Sequence, residues 1–358
     1  MNLKKIFKGK KVIITGHNGF KGSWLTLWLC NLGAKVVGIS LDPPSTPSHY
    51  KVIKINKKVK EKKIDIRKLA PLRKAFKKYK PDFVFHLAAQ SLVRKSYINP
   101  IITWDTNALG TRNILESLRV LKNKCVVILI TSDKSYKNLE LKRGYKENDM
   151  LGGFDPYSSS KASAELLIQS YVNSYFTNKS KNISIGIARA GNVIGGGDWS
   201  TDRLIPDCVK SWSKNNYAII RNPKSTRPWQ HVLEAIGGYL IFAIKLKQNK
   251  RLHGEAFNFG PTSKSNHTVM SLVKLMKKYW KNVNWKTSKN KKFYESSLLK
   301  LNCDKAKKNL NWKSILGFQE TIKFVTEWYK NYYNGKKDIS ELSTDQIIKY
   351  EKLLKKRL

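Results

Sequence analysis

The chain has 358 residues, with 69 lysines and arginines against 25 aspartates and glutamates, a formal charge of +44. This is length enough for two lobes and an ample core. At 41% hydrophobic and 26% charged residues it is too apolar for disorder, and no apolar run approaches the ~20 residues of a bilayer span.

The N-terminus is basic, but the apolar run after it, residues 12–15, is too short for a secretory signal. Cys30, Cys125, Cys208 and Cys303 lie far apart, and the six histidines show no metal-ligand spacing. Buried free thiols, a reducing cytoplasm, no membrane contact and no metal site are therefore expected. The lysines are spread along the chain, and their densest clusters, 57–63, 286–292 and 352–357, are short. The charge reads as a solvated surface in preference to a nucleic-acid footprint, since an arginine-rich arm, an RNP pattern and a zinc finger are all missing.

In chain order, residues 10–15 form a β-branched run that stops at a glycine turn. Trp24, Leu25, Leu27, Trp28, Leu29 and Leu32 follow at helical spacing and end at Gly33. A second strand over 34–39 is closed by Pro43, Pro44 and Pro47. Further buried strands are expected at 83–87, 126–131 and 183–188, separated by helices at 69–79, 107–121 and 156–176. This alternation predicts βαβ units and an α/β fold, a Rossmann-like doubly wound parallel sheet. Beyond residue 190 come Gly195-Gly196-Gly197, scattered tryptophans and helices near 268–280 and 318–333. The expected organisation is thus a nucleotide-binding domain over 1–190, a smaller, mostly helical lobe over 191–333 and a tail helix over 334–358. Segments 229–246 and 256–259 are candidates for return to the first domain. The tail is expected to start at a capping box, Ser343 to Gln346.

Gly16, Gly19 and Gly22 lie between the first strand and first helix, where a dinucleotide pyrophosphate approaches backbone amides that a Cβ would block. A P-loop is excluded, because the positions that should read glycine then lysine hold Lys21 and Gly22. After the second strand stands Asp42 and no arginine, which favours NAD over NADP; Asp42 would meet the adenosine ribose or simply cap a loop. Asp65 is a second acid, facing adenine or capping a helix. Tyr157 and Lys161, at i and i+4, place a phenol and an ammonium on one helix face, and the cation is expected to lower the phenol's pKa toward neutrality. Thr131, Ser132, Asp133 and Lys134 end a buried strand where doubly wound sheets bind ligands, although a turn cap also fits.

These motifs resemble the extended short-chain dehydrogenase/reductases: T-G-x-x-G-x-x-G at 15–22, H-L-A-A at 86–89, N-x-x-G-T at 107–111 and Y-x-x-x-K at 157–161. Within them, stretches such as HLAAQSLVRKSY, TSDKSY and ARAGNVIGGGDW are most similar to the CDP-glucose 4,6-dehydratase branch. The resemblance runs from about residue 8 to about residue 332 and implies a hydro-lyase of surface-polysaccharide deoxysugar synthesis that recycles NAD within each turnover. It implies that Tyr157, with Lys161 and Ser132, takes the C4 hydroxyl proton, that Lys134 removes the C5 proton or stabilises the enolate, and that Asp133 protonates the leaving C6 hydroxyl. Gly16, Gly19, Phe20, Lys21, Ala88, Gln90 and Thr131 would line the cofactor site. Asn192, Arg203, Arg227 and His231 would meet the nucleotide sugar, although the arginines also read as surface residues and His231 as a core histidine. A homodimer or higher oligomer through helices near 107–121 and 156–176 is implied. The rival readings are a dehydratase or epimerase of another nucleotide sugar, and a basic nucleic-acid-binding protein on the same scaffold.

Overall fold

The computed structural model describes residues 2–177, 182–261, 267–288, 299–335 and 337–357; part of the 286–292 lysine cluster lies outside them. Seven strands form one sheet: β1 (Lys11–Thr15), β2 (Lys35–Ser40), β3 (Lys60–Lys63), β4 (Phe83–His86), β5 (Cys125–Ile130), β6 (Ile183–Ala190) and β7 (Ala256–Phe259). Their order is β7-β6-β5-β4-β1-β2-β3 and all pairings are parallel. This is the expected Rossmann-like doubly wound sheet. Continuous apolar runs such as CVVILI of β5 are buried throughout, as a sheet covered on both faces requires. Strand order reverses between β1 and β4, so the ligand crevice opens beyond the carboxyl ends of these strands.

The main helices are α1 (Phe20–Asn31), α2 (Leu69–Tyr79), α3 (Gly110–Leu118), α4 (Pro156–Ser174), α5 (Leu204–Trp212), α6 (Val232–Gln248), α7 (Val269–Tyr279), α8 (Phe318–Asn334) and α9 (Ile339–Lys355). One apolar core lies between the sheet and α1, α6 and the C-terminal helices; a second fills the α2, α3 and α4 face. The chain's second half therefore serves both lobes: α6 packs on β5 and β6, and β7 extends the sheet, while α5, α7 and α8 build the smaller helical lobe.

Four local outcomes differ from the sequence reading. The Lys60–Lys63 strand was hidden by its charge; it is an edge strand held by backbone pairing to β2 alone, where lysines are tolerated and discourage further pairing. The helix expected over 107–121 begins as a π-helical turn, Asp105–Leu109, whose Asn107 amide donates to Gln90 O (3.0 Å) and Ser160 Oγ (2.9 Å). The tail helix starts earlier than its expected capping box. Asp338 is the N-cap, accepting from Glu341 N at 2.9 Å, and Ser343 sits inside the helix with its hydroxyl on Ile339 O. Cys125 and Cys208 are buried free thiols, as expected, but Cys30 and Cys303 are only half-buried. Among the described residues, no helix is long and apolar enough to cross a membrane, and no three metal-ligating side chains gather.

Candidate active site

The glycine turn after β1 forms the floor of the crevice. Gly16 has φ +73°, and a Cβ there would stand 2.7 Å from Ala88 N; a Cβ on Gly22 would meet Gly16 O at 1.9 Å. Only glycine permits this close folding of the turn on itself and on the β4 loop. Gly19 is the N-cap of α1 and brings no side-chain cap, so the first-turn amides and the positive end of the helix dipole face the crevice. This cradle fits a dinucleotide pyrophosphate. Phe20 opens α1 half-buried, and Ala88 N donates to Thr15 Oγ1 at 3.3 Å across the turn.

Beyond β5, Ser132 caps a short turn, Asp133–Ser135, by accepting from Lys134 N at 3.2 Å and donates its hydroxyl to Asp133 Oδ1 at 3.0 Å. Asp133 is only 5% exposed. Burial raises its pKa above the usual carboxylate range, against the opposing pull of Lys134, Ser132 and Lys21. Across the crevice, Asp155 caps α4 by accepting from Ser158 N at 3.0 Å, which sets Tyr157 in the first helical turn. The Tyr157 phenol is buried near Ser132 and Asp133. Lys161, one turn later, donates to Ile130 O at 3.3 Å.

The expected drop in the Tyr157 pKa is corrected here. Burial pushes the phenol up to about 12, and the nearby Ser132 hydroxyl and Arg203 charge only partly offset it. The desolvation cost falls on both partners, because burial also lowers Lys161 to about 8. Lys21, half-buried in the first turn of α1, is lowered to about 8 by burial, then by Arg203, with Asp133 opposing. Lys21, Ser132, Asp133, Lys134, Tyr157, Lys161 and Arg203 thus form one electrostatic neighbourhood.

Other sequence candidates lie further out. Asp42 is exposed beyond β2 and pairs with Lys63 at 2.8 Å; Asp65, beyond β3, holds Arg67 through both carboxylate oxygens and accepts Arg67 N at 2.9 Å. Both stand at the carboxyl edge of the sheet, each already engaged with a cation. The Gln90 amide group is tied to Leu92 O and Thr103 Oγ1, both at 3.0 Å, and Thr131 Oγ1 donates inward to Glu165 at 2.7 Å. Asn192 is exposed just after β6. Arg203 precedes α5, its guanidinium steered by Asp198 at 2.9 Å; Arg227 is half-buried with Nη1 on Thr226 O. His231 lies at the core-histidine place that the sequence also allowed. It is 0% exposed, caps α6 through Nδ1 and packs edge-on against Trp24 and Phe324, and burial holds it neutral with a pKa of about 3.

The sequence reading missed the buried Glu165 and Arg189 beneath the acid turn, and His49, which joins Ser23 of α1 (2.9 Å) to Ser343 of α9 (3.2 Å). Arg189 had a legible signal. It is a lone cation inside the apolar strand ISIGIARA, and a charge buried there requires a partner.

A family model described as GDP-mannose 4,6 dehydratase matches residues 13–325. The CDP-glucose 4,6-dehydratase of Salmonella typhimurium is 43% identical over 336 residues, covering 93% of this chain and 94% of that protein. An epimerase from Methanothermobacter thermautotrophicus has the same fold, with a TM-score of 0.80 at 24% identity, covering 94% of this chain and 97% of its own. So does a UDP-glucose-4-epimerase from Stenotrophomonas maltophila, solved with bound NAD and formylated UDP-arabinopyranose, with a TM-score of 0.78 at 17% identity and coverages of 91% and 99%. The chain belongs to the GDP-mannose 4,6 dehydratase family of the extended short-chain dehydrogenase/reductases.

Proposed function

We propose that this protein is an NAD-dependent hydro-lyase that converts CDP-glucose to CDP-4-keto-6-deoxyglucose, an early step toward deoxysugars. The observation that carries the reading is the buried Asp133, held with a raised pKa beside Ser132 and Tyr157. Near-full-length identity to a CDP-glucose 4,6-dehydratase supports it.

The glycine cradle at Gly16, Gly19 and Gly22, with Phe20, Lys21, Ala88, Gln90 and Thr131 around it, is the site assigned to NAD, and Asp42 and Asp65 are assigned to its adenosine end. Bound there, NAD would supply reversible hydride-acceptor chemistry. Tyr157 is assigned the C4 hydroxyl proton; Ser132 orients the phenol, and the cationic field of Lys161 and Arg203 opposes the cost of burying a phenolate. Oxidation at C4 acidifies C5; Lys134 is assigned the C5 proton in its neutral form or, as an ammonium, the stabilisation of the enolate. Asp133 protonates the departing C6 hydroxyl, a task suited to a carboxyl that desolvation keeps protonated more readily than a free one. Asn192, Arg203 and Arg227 are assigned to the nucleotide sugar, since guanidinium groups match a diphosphate in charge and geometry.

The same reading carries a cytoplasmic homodimer. Ile98, Ile101, Ile102, Leu109 and Leu166 are exposed on the helical layer that contains α4, and sedimentation should show a dimer that charged substitutions at Ile101 and Leu166 dissociate. Nucleic acid is not assigned as a partner.

The chemistry is tested with CDP-glucose deuterated at C4. The product should carry deuterium in its C6 methyl group, one solvent-derived hydrogen at C5 and no stoichiometric free NADH. Label retained at C4 would make the protein an epimerase, and a panel of nucleotide-linked glucoses run alongside tests the cytidine assignment.

A further inference from the structure

Glu165 of α4 and Arg189 of β6 form an ion pair with side-chain exposures of 0% and 1%. Such a pair is costly to desolvate and a weak source of stability, and its surroundings give it another use. Glu165 Oε1 accepts from Thr131 Oγ1 at 2.7 Å and lies 2.9 Å from Ser135 Oγ. These two residues flank Ser132, Asp133 and Lys134, so one carboxylate oxygen holds both ends of the acid turn. Glu165 also follows Lys161 by one helical turn, on the same face. Arg189 grips both carboxylate oxygens through Nε, at 2.9 and 2.8 Å, and anchors itself through Nη1 to Tyr136 Oη at 2.7 Å and Glu147 O at 2.9 Å. Its guanidinium also lies 4.7 Å from the centre of the Tyr136 ring.

We propose that Glu165, locked by Arg189, is a positioning residue that ties the turn bearing Ser132, Asp133 and Lys134 to the helix bearing Tyr157 and Lys161, and sets the electrostatic field at the Lys161 ammonium. The roles of those residues rest on the dehydratase reading above. Lys161 faces Tyr157 and Glu165 on its own helix, Lys21 on α1, His86 on β4 and the Ile130 carbonyl of β5. His86 is held neutral by burial, with a pKa of about 3. Glu165 works against burial to retain the Lys161 proton, while Lys161 and Lys21 repel each other.

The pair of variants Glu165→Gln/Arg189→Met and Glu165→Leu/Arg189→Met tests both parts. Each removes the ion pair as a unit, so no buried charge is stranded, while only the glutamine keeps an oxygen for Thr131 and Ser135. With isotope-labelled lysine, NMR titration of Lys161, assigned by loss of its signal in Lys161→Arg, needs no substrate. In both variants Lys161 should lose its proton at least about half a pH unit lower than in the parent protein; an unmoved titration overturns the electrostatic part. In single turnover at the pH optimum, the glutamine variant should oxidise CDP-glucose at least about tenfold faster than the leucine variant, with KM values within about threefold of each other. Equal rates overturn the clamp. A parent protein that leaves CDP-glucose unchanged refutes the dehydratase reading instead, and the substrate-free titration still decides the field at Lys161.

Discussion

Asp133→Asn separates the two halves of the proposed reaction. Asparagine has nearly the volume of aspartate, and its amide oxygen can take over the hydrogen bond from Ser132 Oγ, now 3.0 Å from Asp133 Oδ1, so the turn should keep its shape. What is lost is a deliverable proton. An ordinary aspartate with a pKa near ~3.9 is protonated in only about one molecule in a thousand at neutral pH, and each unit of upward shift raises that share about tenfold. Burial of Asp133 acts in this direction. General acid catalysis contributes ~10²–10⁴-fold, about 2.7–5.4 kcal/mol of barrier. Rapid mixing with CDP-glucose should therefore show NADH-like absorbance rising near the parent rate and then persisting, while the 6-deoxy product forms ~10²–10⁴-fold more slowly. Formation of that product within about threefold of the parent rate would remove Asp133 from the acid role.

Tyr157→Phe should stop the reaction one step earlier, with no NADH-like absorbance in single turnover, since the buried phenol is then missing; a normal absorbance rise would assign the C4 proton elsewhere. Gly22→Ala places a methyl group 1.9 Å from Gly16 O, against an ordinary carbon–oxygen contact of about 3.3 Å. Overpacking of this kind costs ~1–3 kcal/mol, and calorimetry should show a lower Tm together with NAD affinity reduced at least about tenfold. Glu234 of α6 is 0% exposed, accepts from Ile315 N, Leu316 N and Tyr350 Oη, and is raised by burial from 4.5 to about 7. Between those two values the folded state binds more proton than the unfolded state, so this group's contribution to stability falls as pH rises through the window, by up to about 3 kcal/mol. Urea unfolding at pH 5 and pH 8 should show a smaller loss in Glu234→Gln than in the parent protein, and equal losses would refute the assignment.

The sequence by itself determined the apolar strands of the sheet and the position of its ligand edge. Apolar strands alternating with amphipathic helices admit few topologies, and the glycines at 16, 19 and 22 mark the strand-to-helix turn, because their spacing is local. It could also pair Tyr157 with Lys161, since i and i+4 meet on any helix. Properties that depend on partners distant in the chain were decided only by tertiary structure. The Lys60–Lys63 strand exists because β2 offers an unpaired edge, a fact absent from its own polar sequence. His231 looks like a ligand in one dimension, yet the packing of Trp24 and Phe324 removes it from solvent. The Tyr157 phenol rises although a lysine follows at the right spacing, because desolvation outweighs the nearby charge, and burial depth is set by the whole fold. Glu165 and Arg189 stand 24 residues apart and become a unit only when α4 is laid against β6, beneath the turn that carries the acid.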